Sequence, residues 1–152
     1  KIVVVGGFGI TANGVHVEHL TIRHKSGTGV NGKSSCTLTD LMIDQCDGYG
    51  VVASGSDAVL NCLNIMVSKS IYSGVYAYWG GTIILSGTRT LITDNCLAGI
   101  SYDYGLKVYG PSSKIKIVKP LTKEAISKGN KGGGDWGADY GATLKQIETI
   151  EE

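Results

Sequence analysis

The sequence lacks the features that mark a membrane span or a strongly charged binding surface. Its longest uninterrupted aliphatic run, Ile2 to Val5, is far shorter than the roughly 20 residues that cross a bilayer. The 14 basic and 13 acidic side chains leave a formal charge of +1, so net charge attracts neither nucleic acid nor anionic lipid. The sequence therefore predicts neither a membrane partner nor a nucleic-acid partner.

Metal-binding and redox motifs are also missing. The four cysteines, Cys36, Cys46, Cys62 and Cys96, form no CxxC pair and no zinc-finger spacing with histidine. We expect all four to be buried, reduced thiols, which is an unusual state for an exported protein. The sequence predicts no cofactor.

The three histidines lie near the start of the chain, where a metal site is the alternative to an ordinary strand face. Period-2 alternation sends His16 and Glu18 outward together, and His19 falls at the bend that follows. Two side chains on one face meet only part of the requirement of a zinc site. We therefore predict an exposed face without a bound metal.

Helical spacing is not sustained before about residue 122, and a repeat of short strands is present instead. Three apolar anchors recur in fixed order, as in Leu38, Ile43 and Val51, the last directly after a glycine. The successive middle anchors lie 20, 21, 22 and 27 residues apart, the range in which self-similarity indicates a solenoid. Glycine, asparagine, aspartate and serine fill the intervening turns.

Three strands per round predict an all-β parallel β-helix, whose rounds stack at about 4.8 Å. The anchors predict about six rounds over residues 1–121, and the variable turn lengths favour a right-handed, single-stranded helix. Residues 122–152 leave the repeat. They predict one helical turn after Pro120 with Thr122 as its cap, a flexible linker at 128–134, and a capping or interaction tail.

The repeated unit, LxI followed by GV, resembles the repeats of right-handed parallel β-helix proteins of the pectate-lyase-like superfamily. It occurs as Leu20-Thr21-Ile22 to Gly29-Val30, Leu41-Met42-Ile43 to Gly50-Val51, and Leu63-Asn64-Ile65 to Gly74-Val75. The superfamily also contains polygalacturonases, alginate epimerases and phage tailspikes. The resemblance implies the fold over residues 1–121 and says little about activity, because one fold hosts many functions.

Stacked rounds place like side chains over each other, so the anchors predict three inward columns. The predicted columns are Val17, Leu38, Leu60 and Leu85; Ile2, Ile22, Ile43, Ile65 and Ile92; and Ile10, Val30, Val51, Val75 and Ile100. Each fully buried anchor contributes roughly 1.5–3 kcal/mol. On the outside we expect Arg23 and Asp44 to be neighbours, either as a solvated ion pair or as a ligand-facing pair.

The positions of the carboxylates test whether the chain is an enzyme. The resemblance implies that a lyase of this superfamily would hold Ca²⁺ between acidic residues of neighbouring rounds. Asp40, Asp44 and Asp47 are close along one round, but the adjacent rounds place no acid in their columns. The stacked NTD, DD, GHG and RIK motifs of polygalacturonases and the DPHD motif of alginate epimerases are missing. The sequence predicts no catalytic residue.

The most unusual feature of the sequence is the clustering of its aromatic residues. Most of the tyrosines and one tryptophan fall between residues 49 and 109, in the rounds with the longest loops. Flat rings beside a carboxylate suit the apolar face and hydroxyls of a sugar, whereas tyrosine is also common in strands on propensity alone. Both interpretations remain open. The candidate ligand-binding residues are Tyr76, Tyr78, Trp79, Tyr102, Asp103 and Tyr104.

Two functions follow from the sequence. The first is a non-catalytic β-helix module that binds or displays, contacts carbohydrate, and lies on an extracellular, cell or virion surface. The alternative is a fragment or divergent member of a polysaccharide lyase, epimerase or hydrolase. With either function, we expect that the chain can self-associate through its C-terminal tail or through the open ends of the solenoid.

Overall fold

The computed structural model describes residues 2–152, which contain eighteen strands in six rounds of three. The rounds are β1 (Ile2–Val5), β2 (Phe8–Ile10), β3 (Val15–Glu18); β4 (Leu20–Arg23), β5 (Val30–Gly32), β6 (Cys36–Thr39); β7 (Met42–Asp44), β8 (Val51–Ser54), β9 (Val59–Leu63); β10 (Met66–Ser68), β11 (Val75–Tyr78), β12 (Thr82–Ser86); β13 (Leu91–Thr93), β14 (Tyr104–Tyr109), β15 (Lys114–Val118); and β16 (Ser127–Lys128), β17 (Gly134–Asp139), β18 (Ile147–Ile150). A short helix, α1 (Lys123–Ile126), and a 3₁₀ turn (Leu144–Gln146) lie in the last round.

Strands at the same position of each round pair with one another in parallel. The first sheet has the order β1-β4-β7-β10-β13-β16, the second β17-β14-β11-β8-β5-β2, and the third β18-β15-β12-β9-β6-β3. The chain therefore returns to the same sheet at every third strand and winds as a parallel β-helix of six rounds. This confirms the predicted all-β fold class.

The inward faces are apolar columns, as predicted, but one member of the third-sheet column is wrong. The register places Leu38 over Cys62, and Cys62 over Leu85. Leu60 belongs to a second column of the same sheet, opposite Cys36. Each of these strands sends two side chains inward, two residues apart, so the spacing of anchors alone could not choose between them.

The other two columns also differ from the prediction in particular members. In the first sheet Val4 and Val67 stand in line with Ile22, Ile43 and Ile92, in place of the predicted Ile2 and Ile65. Ile2 is instead 69% exposed. In the second sheet Phe8 and Leu106 take the positions predicted for Ile10 and Ile100, because Ile10 pairs with Gly32 and residue 100 lies in a turn before β14.

The repeat continues beyond the predicted boundary at residue 121. β16, β17 and β18 supply the sixth strand of all three sheets. α1 forms where predicted, and Thr122 Oγ1 accepts a hydrogen bond from the Ala125 amide at 3.2 Å. The glycines of 128–134 serve close packing rather than a linker: a Cβ at Gly132 would lie 2.6 Å from the Ile100 carbonyl oxygen, and one at Gly133 only 2.3 Å from that of Ser101.

Two side-chain predictions are confirmed. All four cysteines are buried, and none forms a disulfide. Burial raises the pKa of Cys36 to about 11 and that of Cys96 to about 12, which keeps these two thiols protonated. Arg23 Nε donates to Asp44 Oδ2 at 3.3 Å across adjacent rounds. The pair confirms that the sequence register was correct at this position.

The different burial of two leucines in β9 predicts a large loss of stability for one alanine substitution and a small loss for the other. Leu60 is fully buried in the core, whereas Leu63 is 41% exposed. Leu60→Ala should lower the free energy of unfolding by about 3 kcal/mol, because it leaves a cavity in a packed column. Leu63→Ala should cost less than about 1 kcal/mol. Equal losses in urea denaturation would contradict the assigned register.

Candidate functional site

An open groove of about 460 Å³ runs over the outer face of the second sheet. Six of its lining side chains are aromatic and two are charged. They are Tyr49, Tyr76, Tyr78, Trp79, Tyr102, Tyr109, Lys107 and Asp139. We call this site the tyrosine groove.

Strand register builds the floor of the groove. Tyr76 on β11 lies opposite Lys107 on β14, and Tyr78 lies opposite Tyr109. Tyr109 lies in turn opposite Asp139 on β17. Because alternate residues of a strand face the same side, all five side chains project outward while their neighbours pack into the core.

The position that follows these strands has a left-handed backbone in four successive rounds. It is occupied by Gly55, Trp79, Gly110 and Tyr140, with φ angles of 94°, 53°, 88° and 48°. Glycine adopts this conformation freely, but a bulky side chain does so at a cost of about 1–2 kcal/mol. The two aromatic residues at the groove edge therefore bear this cost, as do seven other non-glycine residues of the described chain that have a positive φ.

The aromatic rings contact one another and hold the walls in place. Tyr76 stacks on Tyr78 with ring centroids 4.9 Å apart and an interplanar angle of 16°. Trp79 packs edge-on against Tyr109 at 5.5 Å and against Tyr140 at 6.1 Å. Such pairs add about 0.5–1.5 kcal/mol each beyond area burial. The rings are thus positioned before any ligand arrives.

The groove continues toward the earlier rounds. A second cavity of about 300 Å³ shares Tyr49, Tyr76 and Tyr78 with it and adds Thr28, Asn31 and Val52. Asn31, Val52, Tyr76 and Lys107 occupy one outward column on successive strands. Asn31 Oδ1 is a buried acceptor without a hydrogen-bond partner in the described part of the chain. The whole depression therefore runs along the axis of the β-helix.

Lys107 is the one lysine in the lining of the groove, and its side chain is nearly inaccessible, with the residue 3% exposed. Its Nζ lies 5.0, 5.2 and 5.9 Å from the ring centroids of Tyr76, Tyr102 and Tyr109. Asp103 Oδ1 is 3.9 Å away, an ion-pair distance that is too long for a direct hydrogen bond. Burial lowers the pKa of the amine, while Asp103 and Asp139 oppose the shift.

Four of the six residues predicted from sequence line the groove: Tyr76, Tyr78, Trp79 and Tyr102. Asp103 does not project from the surface as expected, because it is buried beneath the loop and accepts a hydrogen bond from Ser73 Oγ at 2.9 Å. The Tyr104 ring covers Gly137, where a Cβ would lie 2.3 Å from the ring. These two residues support the wall rather than form its surface.

Two charged residues and three aromatic residues at the groove were not among the site residues predicted from the sequence. Lys107 could have been found, because it alternates with Tyr109 on one strand and so faces the same side. Asp139 and Tyr140 could not, because the repeat was predicted to end before them. Tyr49 and Tyr109 were recognised as part of the aromatic cluster but not as members of the site.

Two of the three carboxylates considered for catalysis, Asp44 and Asp40, are already engaged. Asp44 accepts hydrogen bonds from Arg23, Gln45 and Ser68 at 3.1–3.3 Å. Asp40 pairs with Arg89 and lies 3.3 Å from His19 Nδ1. Within residues 2–152 no group of three or more histidine, cysteine or acidic side chains is arranged to hold a metal ion.

Comparison with protein-family models, with curated proteins and with solved structures gave no match. No helix of the described chain has the length and apolar character needed to cross a membrane. Inferences about function therefore depend on the geometry of the groove.

Buried phenols of the groove predict a loss of stability in alkali. Burial, assisted by the nearby Asp103 carboxylate, raises the pKa of Tyr49 from its ordinary 10.0 to about 12. Between these two values the unfolded chain ionises more than the folded chain, so stability falls as pH rises through this window. Tyr49→Phe should therefore lose less stability between about pH 9 and about pH 11 than the parent chain in urea denaturation. An unchanged difference would contradict the assigned environment.

Proposed function

We propose that this chain is a non-catalytic carbohydrate-binding module of the pectate-lyase-like β-helix superfamily, acting on an extracellular, cell or virion surface. The tyrosine groove is its binding site. The observation that carries the proposal is the open groove lined by six aromatic side chains, of which Trp79 and Tyr102 are each 57% exposed.

The chemistry of the lining fits a sugar better than a compact apolar ligand. Exposed ring faces pack against the C–H face of a pyranose, and phenol and indole groups supply hydrogen bonds to its hydroxyls. The groove is open along its length and continues past Tyr76 toward Asn31. A segment of a polymer can therefore enter and leave at both ends without a lid.

Replacing the strained tryptophan tests binding without damaging the fold. Trp79→Gly removes the ring, but it also matches the glycine that occupies this position in the rounds before and after. Lost aromatic packing and relieved backbone strain should nearly cancel, which leaves the free energy of unfolding within about 1 kcal/mol of the parent.

On a glycan array the parent should bind at least one oligosaccharide, and Trp79→Gly should lower that affinity about tenfold or more. The exposed, remote substitution Leu63→Ala serves as the matched control and should leave binding unchanged. Absence of binding to any glycan by the parent chain would remove the proposal.

The alternative function is that of a divergent or partial polysaccharide lyase, epimerase or hydrolase. One observation favours it: Lys107 is a buried amine beside Asp103, and burial lowers its pKa, as in many catalytic lysines. We expect no activity, because Asp103 is buried beneath the loop and the described residues hold no metal-binding cluster beside the amine. Ultraviolet-absorbing unsaturated uronate released from pectate or alginate, and lost in Lys107→Met, would reverse this assignment.

A further inference from the structure

We propose that the tyrosine groove selects neutral glycans over uronate-rich glycans, with the Lys107 amine donating hydrogen bonds to sugar hydroxyls. The inference rests on the proposed carbohydrate-binding function and names the ligand class of the same site. It follows from the hydrogen-bonding state of Lys107 and from the charges around it.

The Lys107 ammonium group has donors to spare. An ammonium carries three N–H donors and no acceptor. Around Nζ the structure places aromatic rings, and the nearest carboxylate oxygen, Asp103 Oδ1, is beyond hydrogen-bond distance at 3.9 Å. Lys107 lines the groove, so a ligand that brings oxygen acceptors to its ammonium group can form hydrogen bonds that Asp103 does not provide.

The charge of Lys107 is nevertheless already balanced. Asp103 is buried beside it, and Asp139, which lines the groove, also acts on its pKa. The Lys107 amine and the two carboxylates that face it together carry a net charge of −1. A carboxylate on the ligand would meet this negative excess and lose its own hydration on entering, and both effects oppose its binding.

The remaining titratable groups against the amine carry no charge at neutral pH. Tyr49 and Tyr76 have pKa values raised by burial, and the Cys96 thiol nearby is likewise held protonated. These phenols present neutral hydroxyls. They complement the hydroxyls of a sugar and do not compensate for an added anion.

Adjacent hydroxyls of a neutral sugar meet both requirements. They offer several oxygen acceptors at short spacing, which can satisfy the Lys107 donors, and they bring no net charge. The ring face of the same sugar can rest on the exposed ring of Tyr102, whose centroid lies 5.2 Å from the amine. The proposed ligand is therefore a neutral glycan with neighbouring free hydroxyls.

The experiment uses the full chain, a panel of neutral gluco-, manno- and galacto-oligosaccharides, and oligogalacturonate with its methyl ester, a pair with the same sugar backbone that differs in charge. Affinities are measured by calorimetry at low and at physiological salt. We expect neutral probes to bind, and the free uronate to bind more weakly than its ester. Lys107→Met should lower the affinity for neutral probes about tenfold or more.

A second variant keeps the test decisive if Lys107→Met is poorly folded. Asp139→Asn preserves the acceptor that the Tyr140 amide uses, at 2.8 Å, but removes one negative charge. It should raise the affinity for free oligogalacturonate about fivefold at low salt. Preferential binding of the uronate by the parent chain, or an unchanged affinity in a folded Lys107→Met, would overturn this inference alone. Failure of every glycan to bind would remove the proposed function with it.

Discussion

Parallel main-chain hydrogen bonding between successive rounds is the constraint on which the rest of the structure depends. The Val51 amide, for example, donates to the Gly74 carbonyl at 2.9 Å, and equivalent bonds recur in all three sheets. Because the rounds are in register, each inward side chain lies directly over its counterpart. Apolar residues thereby form continuous columns, and a chain of 152 residues buries a core without a second layer of structure.

The same register organises the outer face, where the columns need not repeat like residues. On the second sheet the outward position reads Asn31, Val52, Tyr76 and Lys107 from round to round. The tyrosine groove therefore forms at outward positions where the residue type changes from one round to the next. Core-directed neighbours fix these strands, so the groove can hold a buried amine and two strained aromatic residues at its edge.

The sequence predicts the architecture well because its main cause, the periodic burial of aliphatic residues, is local and repeated. It predicts individual column members less well. Leu60 and Leu38 are both inward residues of equivalent strands, and only the main-chain pairing shows that they belong to different columns. The last round was missed because its strands contain glycine and polar residues, whose burial depends on neighbouring loops. Asp139 and Tyr140, which lie in that round, were therefore not predicted as site residues.

Round-to-round register is tested most directly by cross-linking outward positions of the third sheet. Thr37 lies opposite Asn61 in the next round, and Asn61 opposite Ile84 in the one after. Thr37→Cys with Asn61→Cys, separated by about 4.8 Å, should form a disulfide on mild oxidation, while the buried native thiols stay reduced. Thr37→Cys with Ile84→Cys, about 10 Å apart, should not. Efficient cross-linking of the second pair, or none of the first, would contradict the stacked-round account.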